Sequence, residues 1–313
     1  MKNVKLFSFL VVFLIEISVC SAQFRIIGYV HAWGDTPDLT KISFDKITHL
    51  NIAFVNPDSS GKLVAPSGFD TLVAASHRYP VKVLASIGGG SPHPEYMRLL
   101  SAPYRAGFIM NLVKFVSSHH LDGIDVDLEG DAIDKNYEPF VSELSAALKK
   151  QGKLMTAAVA TWNGNTITDA ALAKFDFINI MSYDQTGPWR PEKPGPHSTY
   201  AKAVEDLDYW TVTRSIPSSH VNLGLPFYGY CFGTVYGESM SFGDISIRFP
   251  GYNLKDSLNP SGGGAIYYNG LPTIQAKVSL ARKRTGGVMV WQLFQDATGD
   301  SSLLNTIYKA VKP

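Results

Sequence analysis

The sequence is short of charge and of cysteine. Only 18% of its 313 residues are charged, and 28 Lys and Arg nearly balance 27 Asp and Glu, so no field of one sign would attract nucleic acid or anionic lipid. Two cysteines cannot form a disulfide framework, and no apolar run reaches the roughly 20 residues of a membrane-spanning helix. With 45% hydrophobic residues, the composition excludes intrinsic disorder and indicates a soluble, globular chain.

The amino-terminal segment has the pattern of a signal peptide. Two lysines precede the apolar run 6–15, and small side chains at 20–22 suit signal peptidase. We therefore predict that residues 1–22 are removed and that the protein is secreted or periplasmic. The alternative is a lipoprotein anchor on Cys20, which the bulky Val19 in front of it disfavours.

Short β-branched runs alternate with segments of helical spacing along the rest of the chain, which predicts a (β/α)8 barrel, an α/β fold. A doubly wound sheet is the alternative, but no G-x-G-x-x-G motif opens the first helix. The helical segments are 95–118, 137–150, 199–214 and 272–284. The predicted strands are Phe24–Val30, Ile47–Val55, Val81–Ile87, Gly123–Glu129, Lys153–Ala160, Phe177–Tyr183, Val221–Tyr228 and Gly287–Leu293.

The longest departure from this alternation is Tyr230–Asn269, between the seventh and eighth strands. It is rich in glycine, and we interpret it as one loop or a small hairpin, a short insertion in the barrel. No linker or low-complexity tract interrupts the chain. Residues 23–313 are therefore predicted to be a single domain.

Acidic side chains are concentrated on the predicted fourth strand. Alternate residues of a strand share a face, so Asp125, Asp127 and Glu129 would point into the barrel, with Glu129 at the carboxyl end where barrel active sites form. Ionising all three in a confined space is unfavourable, which pushes their pKa values apart. The pattern predicts a proton donor beside an electrostatic stabiliser.

Two other interpretations of the acidic strand are a solvated face and a metal site. The apolar residues between the acids disfavour a solvated edge strand. Asp-x-Asp also suits Mg²⁺ or Ca²⁺, but no histidine or further acid in the sequence obviously completes such a site. Acid–base catalysis without a metal or cofactor is the prediction.

Four motifs lie in register on the predicted strands. The run Asp122-Gly-x-Asp125-x-Asp127-x-Glu129 resembles the D-G-x-D-x-D-x-E signature of glycoside hydrolase family 18, the chitinase family. Ser86-Ile87-Gly88-Gly89 resembles its S-x-G-G motif, and Met181-Ser182-Tyr183-Asp184 its M-x-Y-D motif. Trp291 resembles the tryptophan of its eighth strand. The resemblance covers essentially all of residues 24–313.

The resemblance implies substrate-assisted hydrolysis with retention, for which this family is an exception to the two-carboxylate rule. Glu129 would protonate the glycosidic oxygen, and the substrate's 2-acetamido group would act as the nucleophile, forming an oxazolinium ion. Asp127 would accept the acetamido N–H, Asp125 would share protons and charge with Asp127, and Tyr183 would hydrogen-bond the acetamido oxygen. The implied substrates are glycans that contain N-acetylglucosamine (GlcNAc).

The resemblance also implies a set of pocket residues. Trp291 would form the floor under the sugar that is attacked, and Tyr29 and Ser86 would hydrogen-bond Asp125. Filling a barrel layer is the alternative for several of these side chains, and capping a helix is the alternative for Ser86. The remaining pocket-lining positions are Asp184, Met181 and Tyr228.

The chain departs from the family pattern at three places. Gln185-Thr186-Gly187-Pro188-Trp189 stands where many members have a His-Gly pair and a tryptophan, and Tyr230 stands where many have an arginine. The insertion Tyr230–Asn269 is shorter than in many members, which predicts a shallower groove. No carbohydrate-binding module is visible.

Three functions follow from these observations. The first is a chitinase or chitooligosaccharide hydrolase, and the second is an endo-β-N-acetylglucosaminidase that acts on the chitobiose core of N-glycans. The third is a chitin-binding lectin, which is disfavoured because Glu129 is present. The expected partner is an oligo- or polysaccharide that contains GlcNAc, bound by a monomer.

Overall fold

The structure is a computed structural model, and it describes residues 23–31, 37–91 and 93–312. The predicted signal peptide, including Cys20, lies outside these residues. Within the described part, no helix is both long and apolar enough to cross a membrane.

Eight parallel strands close into a barrel, which confirms the predicted (β/α)8 fold. Neighbouring strands follow chain order from β1 to β7, and the last strand, β12, closes the ring between β7 and β1. Four short strands lie outside the ring, in the insertion. The strands are β1 Arg25–His31, β2 His49–Ala53, β3 Lys82–Gly88, β4 Gly123–Asp127, β5 Leu154–Val159, β6 Phe177–Ile180, β7 Val221–Pro226, β8 Tyr228–Phe232, β9 Ser239–Ser241, β10 Ser257–Leu258, β11 Ala265–Tyr267 and β12 Gly287–Trp291.

The helices pack around the barrel and bury one face against it. The predicted helix 95–118 is two helices, because Ser101 is extended and Pro103 lies in a first turn, where its missing N–H costs no hydrogen bond. The helices are α1 Phe69–Ser76, α2 Glu95–Leu99, α3 Ala102–Ser118, α4 Tyr137–Lys149, α5 Asp169–Leu172, α6 Tyr200–Asp208, α7 Phe242–Arg248, α8 Leu271–Arg284 and α9 Leu303–Val311.

The insertion is more ordered than the predicted loop or hairpin. Strands β8 to β11 form an antiparallel sheet in the order β10-β11-β8-β9, and α7 follows β9. A glycine is required at position 264, where φ is +79° and a Cβ atom would lie 2.3 Å from the Phe232 carbonyl oxygen. Strands of two or three residues carry too little alternation to be recognised in the sequence.

Strand register places polar side chains of neighbouring strands side by side inside the barrel. Ser86 of β3 lies beside Asp125 of β4, and Thr156 of β5 lies on the other side of Asp125. The alternate residues Ile124 and Val126 are buried on the outside, in the apolar core between strands and helices. Each acid of β4 therefore faces the barrel interior.

A buried lysine joins the insertion to the loop after β6. Lys277 of α8 is completely buried, and its Nζ donates to the Ser198 carbonyl oxygen (2.8 Å), Ser198 Oγ (2.7 Å) and Asn269 Oδ1 (2.7 Å). Burial lowers the pKa of Lys277 to about 7. Ser198 Oγ in turn donates to the Ser182 carbonyl oxygen (2.6 Å), so these bonds hold both ends of the loop that carries Asp184.

Lys277 makes stability depend on pH in a defined direction. Above a pH of about 7 the folded state releases the Lys277 proton, while the unfolded chain keeps it until about pH 10. The stability of the wild type relative to Lys277→Met should therefore rise between about pH 7 and about pH 9. Urea unfolding of both proteins across this range measures the difference, and a difference that stays flat or falls would contradict the assignment.

Candidate active site

The buried carboxylate of Asp125 is surrounded by hydroxyl donors. Tyr29 Oη (2.7 Å) and Ser86 Oγ (2.8 Å) donate to its Oδ2, and Thr156 Oγ1 (2.5 Å) donates to its Oδ1. Burial raises the pKa of Asp125, and the hydrogen bonds from these hydroxyls oppose that rise. Asp125 is therefore the acid of this cluster whose anionic form is best stabilised.

Asp127 has the opposite surroundings. It is also buried, but its Oδ1 has no hydrogen-bond partner among the described residues. Burial raises the pKa of Asp127 well above its usual value, and the neighbouring charges of Glu129 and Asp125 raise it further. Asp127 is thus a buried acid that favours its protonated form and has one oxygen free to accept a new donor.

Glu129 lies two residues beyond the end of β4, immediately before a short helical turn, Gly130–Ala132. Its side chain lines a cavity that opens at the carboxyl end of the barrel. Burial raises the pKa of Glu129, and the negative charge of Asp184 adds to the rise. Both effects favour a protonated carboxyl group, which is what a general acid requires.

The cavity has an aromatic floor and a volume of about 260 Å³. The Trp291 indole stacks on Phe54, with ring centroids 5.4 Å apart, and lies 5.7 Å from the Tyr29 ring. A flat, partly exposed indole at the bottom of a cleft is a surface on which the apolar face of a sugar ring can pack. The site residues that line the cavity are Tyr29, Asp127, Glu129, Met181, Tyr183, Asp184 and Trp291.

The other predicted site residues lie around this cavity rather than in it. Asp125 and Ser86 are buried beneath Asp127, and Tyr228 donates its hydroxyl hydrogen to Asp184.

Two tyrosines that line the cavity also have contacts inside the barrel. The Tyr183 hydroxyl is 3.7 Å from Met289 Sδ. Tyr29 both packs among apolar side chains inside the barrel and hydrogen-bonds Asp125, so the two alternatives for it in the sequence are compatible.

Three residues of the site were missed in the sequence. Thr156 donates to Asp125, and the buried His197 has Nδ1 3.3 Å from Asp184 Oδ1. Trp162 is 72% exposed and lines the cavity beside Glu129. The available signal for Trp162 was its position just after the carboxyl end of a barrel strand, and that for Thr156 was a polar side chain within the apolar strand β5. His197 lies far along a loop, where the sequence holds no such signal.

The acidic cluster is poorly suited to a metal ion. The oxygens of Asp125 already accept hydrogen bonds from three hydroxyl groups. Among the described residues, no group of three or more His, Cys, Asp or Glu side chains is arranged to hold a metal. The geometry is that of a carboxyl group lining the cavity, Glu129, beside a buried pair of acids.

The sequence model for glycosyl hydrolases family 18 matches residues 25–296. The chain belongs to this family. Its barrel, the acids of β4 and the tryptophan at the end of β12 therefore lie in a family 18 framework. The motif resemblance predicted from the sequence is confirmed.

Solved structures with similar folds include two bacterial chitinases. The GH18 chitinase ChiB from the chitin utilization locus of Flavobacterium johnsoniae is 40% identical, with a TM-score of 0.85 over 93% of this chain and 94% of that one. A chitinase from Bacteroides thetaiotaomicron is 30% identical, with a TM-score of 0.80 over 92% of this chain and 96% of that one.

Another relative is a chitinase-like effector rather than a chitinase. A chitinase-like effector of Moniliophthora roreri is 31% identical over 74% of this chain, and the match spans 65% of the effector's length. Membership of family 18 thus establishes a glycoside hydrolase fold.

The contrast between Asp125 and Asp127 predicts opposite effects of the same substitution. Asp127→Asn should stabilise the fold by roughly 1–2 kcal/mol near neutral pH, because an amide needs no proton uptake on folding, whereas the buried carboxyl group must gain a proton or remain charged. Asp125→Asn should destabilise it by roughly 1–3 kcal/mol, because an amide NH₂ would face hydroxyl donors. Urea unfolding of the two variants provides the comparison.

The pH dependence of this effect has a definite sign. A pKa raised by folding gives stability that is lost as pH rises, so the advantage of Asp127→Asn should be large at neutral pH and shrink towards about pH 4. Equal destabilisation by both variants would show that the two acids do not differ in this way.

Proposed function

We propose that the protein is a chitinase, a glycosidase that hydrolyses β-1,4 bonds between GlcNAc residues with retention of configuration. The observation that supports this best is Asp127 Oδ1, a buried acceptor without a hydrogen-bond partner among the described residues. It lies beside Glu129, whose pKa is raised by burial and by the charge of Asp184. An acetamido N–H is a donor suited to that oxygen. A sugar that lacks this group would leave the acceptor unsatisfied, which is costly in a buried site.

In the proposed reaction the substrate supplies its own nucleophile. Glu129 gives its proton to the glycosidic oxygen as the bond to the anomeric carbon breaks. The acetamido carbonyl oxygen attacks the anomeric carbon from the opposite face and closes an oxazolinium ring. Water, deprotonated by Glu129, then opens this ring, so configuration is retained after two inversions.

The two buried aspartates would stabilise the charge that develops on this ring. Asp127 would accept the acetamido N–H at Oδ1, which orients the carbonyl oxygen towards the anomeric carbon. Asp125, whose anionic form is stabilised by three hydroxyl donors, would supply negative charge from below. Because these groups are fixed before substrate arrives, no reorganisation is needed as the positive charge forms.

A second cavity supports a polymeric substrate. Its volume is about 460 Å³, and it meets the first cavity at Gly90, Glu129 and Trp162. If the attacked sugar packs on Trp291 and its glycosidic bond lies beside Glu129, the leaving sugar occupies this second cavity. The exposed Trp162 indole lies where the two cavities meet and offers a stacking surface for the leaving sugar.

Export of the mature chain is part of the proposal. Cleavage before Gln23 would leave two residues ahead of Arg25, where β1 begins. A secreted or periplasmic enzyme would meet chitin or chitooligosaccharides outside the cytoplasm.

Product analysis by mass spectrometry tests this function. Residues 23–313 are incubated with chitohexaose and, separately, with a high-mannose N-glycoprotein. We expect short chitooligosaccharides from the first substrate and no release from the second. The matched control is Glu129→Gln, which should lose hydrolysis by about 10³-fold or more, because it lacks the transferable proton, yet still bind chitohexaose.

Other outcomes would contradict the proposal. Glycan released with one GlcNAc left on the glycoprotein would assign an endo-β-N-acetylglucosaminidase instead. Binding of chitohexaose by the wild type without turnover would assign a lectin. Efficient cleavage of β-glucosides, which have no acetamido group, would refute participation by the substrate.

A further inference from the structure

A buried histidine contacts the acid that faces the proton donor. His197 is 1% exposed, and its Nδ1 lies 3.3 Å from Asp184 Oδ1. Its ring packs against Tyr228 and Tyr230, with centroids 5.0 and 4.9 Å away. Its Nε2 is buried and has no hydrogen-bond partner among the described residues. Its Nδ1 also accepts a long hydrogen bond from the Asp184 backbone N–H (3.5 Å), so the polar contacts of its ring nitrogens there all go to Asp184.

Asp184 needs such support because it is an exposed acid at the edge of the site. Its side chain is 41% exposed, and it stands in the left-handed region with φ of 62°. The hydroxyl groups of Tyr228 and Tyr230 also hydrogen-bond its carboxylate. An aspartate at the rim of a cleft can otherwise turn its charge towards water, where the effect on a neighbouring acid is screened.

The backbone around His197 is fixed independently of Asp184. The His197 carbonyl oxygen accepts a hydrogen bond from the Gln185 N–H (3.1 Å). The next residue, Ser198, is held by Lys277 and by its own bond to Ser182. The imidazole therefore approaches Asp184 from a part of the loop whose backbone is held by hydrogen bonds. It can restrict the rotation of the Asp184 carboxylate.

We propose that His197 is a positioning residue, which holds the Asp184 carboxylate towards Glu129 so that its negative charge keeps the proton on the donor. The inference rests on the proposed role of Glu129 as general acid. His197 contacts Asp184 and not the substrate, so its effect on the donor is indirect.

Several other titratable groups surround the pair. Asp127 and Glu129 face it from the end of β4, and Tyr183 faces it from the end of β6. Tyr228 and Tyr230 approach from β8, and Lys277 of α8 lies beyond Ser198. After burial itself, the charge of Asp184 raises the pKa of Glu129, and the interaction between Glu129 and Asp127 raises the pKa of Asp127. Moving the Asp184 charge away from Glu129 should therefore lower the pKa of the donor.

The proton affinity of Glu129 can be measured without any substrate. In protein labelled with ¹³C-glutamate, the Glu129 carboxyl signal is assigned by its loss in Glu129→Gln and followed by NMR as a function of pH. His197→Leu should lower the midpoint by about half a pH unit, a displacement of the kind that one nearby charge causes. Asp184→Asn should lower it in the same direction.

Matched variants separate positioning from packing. His197→Asn should keep the wild-type midpoint, because its amide can make the contact with Asp184 that Nδ1 makes. His197→Gln should behave like His197→Leu, because its amide lies where Nε2 was. If the leucine variant does not fold, the comparison of His197→Asn with His197→Gln provides the test. In the double variant with Asp184→Asn, His197→Leu should cause no further shift.

Two results would overturn the inference. One is a wild-type midpoint in both His197→Leu and His197→Gln, and the other is a shift that adds fully to that of Asp184→Asn. Because this titration needs no turnover, it succeeds or fails separately from the hydrolysis of chitohexaose.

Discussion

Repulsion among carboxyl groups on one buried strand is the constraint on which the site depends. Asp125 and Asp127 are buried on β4, and Glu129 follows at its open end. Water is excluded from most of this cluster, so the three groups cannot all ionise at neutral pH. The barrel gives the three acids different surroundings, so their pKa values differ. General acid catalysis requires such a difference.

The neighbouring strands supply the difference. β1, β3 and β5 each present one hydroxyl to Asp125 through Tyr29, Ser86 and Thr156. No comparable donor reaches Asp127 Oδ1 from the described residues. The charge of Asp184, from the loop after β6, favours the proton on Glu129. Strand register and loop anchoring thus give the three acids different surroundings: Asp125 has three hydroxyl donors, Asp127 has a free acceptor oxygen, and Glu129 lies beside the charge of Asp184. Such arrangements lower stability in return for function.

Much of the barrel and its acidic strand could be predicted from the sequence, because both depend on short-range pattern. Each barrel strand lies in a short, mainly apolar run, and alternation along the strand assigns Asp125 and Asp127 to the inner face. The sheet in the insertion was missed, because β9, β10 and β11 have only two or three residues each. The apolar spacing of residues 95–118 continues across the break at Ser101, so it predicts one helix where the structure has two.

The rest of the site depends on contacts between segments that are distant in sequence. His197 reaches Asp184 because Lys277, about 80 positions further on, holds Ser198. Trp162 becomes part of the cleft because β5 ends beside β4 in the ring. Neither relation is encoded in local spacing, so the sequence motifs identified the acids but not the groups that position them.

The central claim is that the substrate's acetamido group, held by Asp127, is the nucleophile in a double displacement. The most direct measurement is ¹H NMR of the reducing ends formed in the first minutes of chitohexaose hydrolysis, before mutarotation. The account predicts that the β anomer appears first. Initial appearance of the α anomer would show a single displacement by water, and would contradict the account.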